Sequence, residues 1–165
     1  ASMHRPPSQH ARTGRGRHRG MTIVELLVAV GITGILGTMA LSGYDYYMDK
    51  TRVARAVNDM LLIAQKRHEY RTNHRSLPDG LAAINMRTLR DPWGYPYQYL
   101  NLETLQGNGK ARKRKNLSPL NSDYDLYSMG KDGASQSSLM AKASRDDVVR
   151  ALDGRFMGRA ADLDK

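Results

Sequence analysis

The hydrophobic pattern begins with one long apolar run, residues 21–41, which contains a single charged side chain, Glu25. A run of about 20 apolar residues is long enough to cross the hydrocarbon core of a bilayer as a helix. No proline follows until Pro78, and apolar positions recur at helical steps at Val53, Val57, Met60 or Leu61, and Ala64. The pattern predicts one helix from about residue 22 to about residue 71, with a membrane half and an amphipathic half.

Two later segments alternate apolar and polar positions. A turn cluster at residues 76–80 precedes a short segment at 81–89, for which a helical turn and irregular structure both stay open. The stretch DPWGYPYQYL at 91–100 ends in alternating tyrosines, and YDLYSM at 124–129 alternates again. Two such runs joined by a polar, Gly-containing connection predict an antiparallel hairpin. The expected fold is α+β, with a small antiparallel sheet packed on the amphipathic half of the helix, and with Trp93 packed against that helix.

A lone carboxylate inside an apolar run needs a neutralising partner. An ionised group in the bilayer core costs about 2.5 to 3.5 kcal/mol even on insertion scales. Glu25 lies four residues after Met21, so cutting the Gly20–Met21 peptide bond would create a cationic amine close to that carboxylate. The amine could belong to the same chain or to a neighbouring copy. The pattern therefore indicates a signal for processing and assembly.

The residues GMTIVE at 20–25, followed by LLV, closely resemble the class III signal of type IV prepilins and of the pseudopilins of type II secretion systems. The resemblance implies that a prepilin peptidase cuts after Gly20 and methylates the amine of Met21, and that Glu25 directs assembly. Residues 1–20 would then be a basic leader, residues 21–41 and 42–73 the transmembrane and amphipathic halves of the helix, and residues 74–165 a periplasmic, pilin-like domain.

Two other interpretations of the apolar run stay open. A Sec signal peptide has a shorter apolar core of about 7 to 15 residues, although the small residues at 39–43 would offer it a cleavage site. A plain signal anchor explains the length and the basic flank, but it gives Glu25 no role.

The charge is divided unevenly along the chain. The formal net charge is +10, and five arginines without any acid in residues 1–20 account for half of it. This flank predicts a cytoplasmic N-terminus and a single-pass inner-membrane protein with a periplasmic C-terminal part. Residues 107–115 form a basic loop, for which a solvated loop is the favoured interpretation, and a contact with acidic cargo, a neighbouring subunit or lipid phosphate is the alternative. The five basic residues of this loop are Lys110, Arg112, Lys113, Arg114 and Lys115.

A second resemblance concerns the C-terminal part. The blocks DPWGYPY and SMGKDG resemble the C-terminal domain of the major pseudopilin of type II secretion, whose loop after the last strands binds one Ca²⁺. Carried over, the resemblance implies the carbonyl of Met129, the carboxylate of Asp132, and a closing carboxylate from Asp146 or Asp147. Calcium accepts such a mixture of carbonyl and carboxylate oxygens, and the chain has no cysteine that would brace the domain instead. A simple turn at Asp132 and a helix cap at Asp146 or Asp147 are the alternative.

No catalytic arrangement emerges from the remaining polar residues, so no enzyme is predicted. His68 and His74 lie six apart, which is not the zinc-binding spacing, and both are interpreted as surface residues. Asp123 and Asp125 would share one face of a strand and are interpreted as polar residues of a turn or an interface.

The two resemblances imply a pseudopilin subunit that polymerises into the periplasmic pseudopilus of a type II secretion system and drives the export of folded proteins. The implied partners are copies of itself as a helical homopolymer, minor pseudopilins, the prepilin peptidase, the inner-membrane assembly platform and membrane lipid. Nucleic acid is not an expected partner. The alternative function is a minor pilin of a type IV pilus or competence system that binds DNA or a surface.

Overall fold

A computed structural model describes residues 20–107, 109–115 and 117–163 of the chain. The chain divides into two compact units, residues 1–42 and residues 43–165. The predicted long helix is present as α1, Ile23–His74, which begins in the first unit and ends in the second. Its observed ends lie within three residues of the predicted ones.

Helix α1 begins with a reciprocal cap. Thr22 Oγ1 accepts a hydrogen bond from the Glu25 backbone N–H at 3.2 Å, and Glu25 Oε2 accepts one from the Thr22 backbone N–H at 3.2 Å. This is the capping-box pattern of a threonine followed three residues later by a glutamate, and it satisfies backbone donors that have no partner inside the helix. Among the described residues, α1 is the one helix long and apolar enough to cross a membrane.

The amphipathic half of α1 buries one stripe of side chains within the second unit. Ala56, Met60 and Ile63 are fully buried, while Val53 and Val57 are partly buried against the same core. The sequence left a choice between Met60 and its neighbour Leu61, and Leu61 is the exposed one, at 51%. The stripe is therefore confirmed, with its centre on Ala56, Met60 and Ile63.

The second unit contains a four-stranded antiparallel sheet in the order β1-β2-β3-β4. The strands are β1 (Gln98–Asn101), β2 (Tyr124–Ser128), β3 (Val148–Ala151) and β4 (Phe156–Arg159). The predicted hairpin partners are β1 and β2, with Gln98 opposite Tyr127. The α+β prediction is confirmed. Strands β3 and β4 were not predicted, because their sequences, VVRA and FMGR, do not alternate apolar and polar residues.

Both faces of the sheet are covered. Val148 belongs to the core that includes the helix stripe, Tyr97, Tyr124 and Leu126, and Trp93 packs against this core as predicted. Its neighbour Val149 belongs to a second core, since successive strand residues point to opposite faces. The members of that second core are Leu120, Leu139, Val149, Ala151 and Ala160.

Four short 3₁₀ helices complete the described structure. The first is Leu81–Ile84, within the segment that the sequence left open between a helical turn and irregular structure. The other three are Lys142–Ser144, Leu152–Gly154 and Ala160–Asp162. The second lies between β2 and β3, the third between β3 and β4, and the last after β4, where Ala160 joins the second core.

Candidate functional site

The predicted processing site lies at the start of the described residues. Gly20 and Met21 are exposed and precede the first residue of α1, so the bond between them lies outside the helix. An exposed, non-helical peptide bond is accessible to a protease. The remaining predicted leader, residues 1–19, lies outside the described residues. The roles of Gly20, Met21 and Glu25 in processing and assembly stay predictions.

The carboxylate of Glu25 has polar contacts but no cation near it in the sequence. Its Oε2 lies 3.2 Å from both Thr22 N and Thr22 Oγ1. The first basic residue after Glu25 is Lys50, and every basic residue before it lies in residues 1–19. Removal of the leader would therefore leave the new amine of Met21, or that of another copy, as the cation available to Glu25.

Two of the predicted calcium ligands lie at the turn after β2. Asp132 is exposed and its Oδ1 accepts a hydrogen bond from Ala134 N at 2.8 Å. Asp146 Oδ2 accepts two more, from Lys131 N at 2.8 Å and from Asp132 N at 3.1 Å. The Asp146 carboxylate therefore closes this turn through backbone N–H groups.

Gly130 makes that closure possible. Its φ is +66°, and a Cβ at this position would lie 2.5 Å from the carbonyl oxygen of Asp146. Glycine alone combines this backbone conformation with such a close approach.

Asp147 points in a different direction, into the interior. It is fully buried, and its Oδ2 accepts hydrogen bonds from Arg112 Nη2 and from Ser135 Oγ. Burial raises the pKa of the Asp147 carboxyl, and the hydrogen bonds from Ser135 and Arg112 oppose that rise. One of the two candidate closing carboxylates is thus the partner of a guanidinium.

Of the two candidate closing carboxylates, Asp146 lies beside Asp132 and Asp147 does not, so a calcium site closed by Asp147 does not fit this arrangement. Calcium takes about six to eight oxygen ligands around one centre. Asp132 and Asp146 line one cavity together with Lys131, Asp49 and Arg159. Asp49 is already paired with Arg159 at 2.6 Å, and Asp147 belongs to the buried pair with Arg112. In the described part of the chain, no three acidic, histidine or cysteine side chains gather where they could hold a metal ion. Met129 is predicted to contribute only its backbone carbonyl oxygen. Calcium binding stays a prediction.

The basic loop is not the solvated loop that the sequence favoured. Arg112 and Arg114 are 3% and 7% exposed, whereas the three lysines of the loop are exposed. Arg114 Nη1 donates to the carbonyl of Ala160 at 2.7 Å. The interpretation is therefore wrong for both arginines, because the tertiary fold supplies acceptors inside the protein that a local sequence window does not contain.

A second buried charge network lies beside the first. Asp125 is fully buried in β2 and accepts hydrogen bonds from Arg112 N at 2.7 Å and Asn121 Nδ2 at 2.9 Å. Burial raises the pKa of the Asp125 carboxyl. Arg150 of β3 pairs with Asp123 at 2.7 Å and lies 4.0 Å from the ring centre of Tyr124. Asp125 is therefore a core residue rather than a turn or interface residue, and no local pattern in the sequence marks its burial.

Both histidines lie where the sequence placed them. His68 and His74 are exposed, and the His74 ring stacks on Tyr70 with ring centres 4.0 Å apart. Neither takes part in the sites described above.

Comparisons with known proteins cover both parts of the chain. Residues 15–41 match the family described as the prokaryotic N-terminal methylation motif. The chain is 27% identical over 140 residues to the type II secretion system core protein G of Pseudomonas aeruginosa, which covers 72% of this chain and 87% of that protein. It is also 27% identical over 94 residues to a fimbrial protein of Pseudomonas aeruginosa, which covers 57% of this chain and 56% of that protein. No solved structure matches the chain.

Proposed function

We propose that this chain, a pilin-like subunit by its methylation motif and its similarity to core protein G, polymerises into the periplasmic pseudopilus of a type II secretion system. The filament would drive the export of folded proteins. The observation that carries the proposal is the extent of the similarity, which spans 87% of the secretion protein but 56% of the fimbrial protein. Minor pseudopilins and an inner-membrane assembly platform are the further partners that this function requires. The role is structural, without a catalytic step.

The first unit supports membrane insertion before assembly. The apolar side chains from Ile23 to Met39 are largely exposed, as expected for a helix whose natural surroundings are lipid or neighbouring helices. Three exposed tyrosines, Tyr44, Tyr46 and Tyr47, follow the apolar run. Tyrosine is enriched at membrane–water interfaces, because its ring is apolar and its hydroxyl can hydrogen-bond to water. We infer a single-pass inner-membrane protein with its second unit in the periplasm.

Assembly would exchange lipid for the helices of neighbouring copies. The apolar surface stays away from water before and after this exchange, so assembly gains little free energy from apolar burial. The free energy of neutralising Glu25 therefore decides whether assembly is favourable. Cleavage before Met21 creates a cationic amine, and pairing with that of a neighbouring copy would neutralise the carboxylate. The pairing also links processing to growth, since a chain that keeps its leader has no free amine at this position.

Leader removal is tested by measuring the mass of the protein extracted from membranes. We expect the chain to lose residues 1–20 and to gain one methyl group in cells with an active prepilin peptidase. Cells without the peptidase are the control and should retain the full chain. An intact leader in the presence of active peptidase would contradict the proposal.

Assembly is tested with Glu25→Gln. We expect at least a tenfold loss of sheared filaments, with normal membrane insertion and leader cleavage. The neutral amide cannot form an ion pair with the cationic amine, although it can still accept a hydrogen bond. Glu69→Gln is the matched control, since Glu69 is an exposed carboxylate in the second half of the same helix. Normal filament yield from Glu25→Gln would rule out the charge pair.

A minor pilin that binds DNA is the second candidate, favoured by the exposed lysines of the basic loop, Lys110, Lys113 and Lys115. Binding through phosphate contacts weakens steeply as the salt concentration rises. The test measures DNA binding by the full chain in detergent at several salt concentrations, with the three lysines changed to glutamine and the two buried arginines left intact. Salt-dependent binding that the triple change removes would favour this function over secretion.

A further inference from the structure

The geometry points to a guanidinium clasp: we propose that Arg112 closes the loop between β2 and β3 by holding Asp147 and Ser135, in the role that a calcium ion would have in this loop. The inference concerns the second unit alone and does not depend on whether the chain assembles into a pseudopilus. It makes the stability of this unit independent of calcium.

The clasp joins segments that are distant in the sequence. Arg112 Nη1 donates to Ser135 Oγ, and Arg112 Nη2 donates to Asp147 Oδ2. Ser135 lies 23 residues and Asp147 35 residues from the arginine. Ser135 Oγ also donates to Asp147 Oδ2 at 2.6 Å, so the three side chains form a closed set of hydrogen bonds. One side chain therefore fixes both the middle and the end of the 129–147 loop.

The arginine itself is anchored on two further sides. Its backbone N–H donates to the buried carboxylate of Asp125 at 2.7 Å. Its guanidinium lies 4.0 Å from the ring centre of Tyr127 in β2, within the range of a cation–π contact. The clasp is thus attached to β2, one of the two central strands of the sheet.

A calcium ion would compete with this arrangement rather than complete it. Arg112 and Asp147 side chains are 4% and 0% exposed, so a second cation on the same carboxylate would meet the guanidinium at short range without water to screen it. At the outer turn, the oxygens of Asp132 and Asp146 already accept three backbone N–H groups. The carboxylate oxygens of Asp132, Asp146 and Asp147 are therefore arranged to accept hydrogen bonds from the protein.

The hydrogen bonds also explain why the residue is arginine. Two nitrogens of one planar group reach two different acceptors, which a single ammonium on a flexible stem does not reproduce. Arg112 Nε and Asp147 Oδ1 have no partner among the described residues, so the pair is joined through Nη2 and braced by Ser135. Lysine at position 112 should consequently keep the charge and lose part of the closure.

The test measures thermal unfolding of the full chain in detergent by the fluorescence of Trp93, its one tryptophan. Each protein is heated in excess EDTA and in excess CaCl₂. We expect the same midpoint for the unchanged chain in both conditions. Arg112→Gln should lower the midpoint by about 10 °C in both, because removing one member of a buried pair leaves the other charge uncompensated. The midpoint of Arg112→Lys should lie between those of the unchanged chain and Arg112→Gln. Arg87→Gln, at an exposed arginine, is the matched control and should not shift the midpoint.

Two results would overturn the proposal. One is a midpoint of the unchanged chain that falls in EDTA and recovers with CaCl₂ but not with MgCl₂. The other is an Arg112→Gln chain that unfolds at the unchanged midpoint. If Arg112→Gln does not fold, terbium luminescence of the unchanged chain is the deciding measurement. Saturable terbium binding that calcium displaces would reject the clasp. No terbium binding, together with a lowered midpoint for Arg112→Lys, would support it.

Discussion

Two carboxylates, Glu25 in the first unit and Asp147 in the second, differ in whether the chain's own fold supplies a cation for them. Asp147 finds its cation within its own fold, where Arg112 and Ser135 hold it. Glu25 is capped by Thr22, and no basic residue follows it until Lys50. A charge paired inside the fold contributes to stability, whereas a charge left without a cation by its own sequence is available for another chain. The contrast separates the folding role of Asp147 from the assembly role proposed for Glu25.

The apolar side chains show the same contrast. Ala56, Met60 and Ile63 are covered by the sheet of their own unit, so their burial stabilises the fold. Ile23 and Val24 are 78% and 69% exposed, and under the proposed function lipid or neighbouring chains would bury them. The two halves of α1 therefore differ in whether the chain's own fold covers their apolar side chains.

The largest expected effect comes from removing the charge of Asp147. Asp147→Asn leaves the buried guanidinium of Arg112 uncompensated and should lower the free energy of unfolding by about 3 to 5 kcal/mol. Denaturant unfolding of the full chain in detergent, followed by Trp93 fluorescence, measures the change. Glu25→Gln should leave this free energy unchanged. Equal losses in both variants would erase the distinction between the two carboxylates.

A smaller loss is expected from Gly130→Ala, which tests how far the backbone contributes to loop closure. The methyl group would meet the carbonyl of Asp146 in a positive-φ conformation, at a cost of about 1 to 3 kcal/mol. Gly154→Ala is the matched control, because its φ is also positive while its nearest neighbour atom, in Arg150, is 3.4 Å away. The same unfolding measurement applies, and a loss at Gly130 no greater than that at Gly154 would contradict the close-approach argument.

Tyr97→Phe should cost about 1 kcal/mol, since it removes the hydrogen bond from Tyr97 Oη to Asp59 Oδ2 at 2.9 Å. Burial, and then the hydrogen bond to Asp59, raise the pKa of the Tyr97 hydroxyl above its usual range. The unfolded chain then loses this proton near pH ~10 while the folded chain keeps it, so the stabilisation present below that pH declines as the pH rises.

Unfolding free energies at about pH 8 and about pH 11 measure this decline, on either side of the ordinary tyrosine pKa. Tyr97→Phe should show a shallower decline than the unchanged chain. The buried Tyr99, whose hydroxyl pKa burial also raises, should still produce part of it. An identical decline in both proteins would show that Tyr97 does not contribute.

The smallest effect is expected at the surface. Lys66 and Glu69 form an ion pair at 2.9 Å, and their side chains are 44% and 47% exposed. Water and salt screen such a pair, so Glu69→Gln should produce no measurable change in unfolding free energy. A loss comparable to that of Asp147→Asn would mean that burial is not what distinguishes the charge pairs of this protein.

Features with a local pattern were predictable from the sequence. The helix from Ile23 to His74 follows from an apolar run joined to a stripe at helical spacing without proline, and the β1–β2 pair follows from two alternating segments. Glu25 stood out because an acid within a hydrocarbon-length run is exceptional in any fold. No such signal marked the burial of four charged residues, which are Arg112, Arg114, Asp125 and Asp147.

The sequence by itself therefore determined the apolar half and the amphipathic half of the helix, and the single charge between apolar neighbours, because each depends on residues within a few turns of one another. Only the tertiary structure decided which charges are buried. Arg112 and Asp147 lie 35 residues apart in the sequence and meet only in the folded arrangement of β1, β2 and β3. Charges stay in an interior only where the fold brings an opposite charge and hydrogen-bond partners to them. That geometry belongs to the fold as a whole.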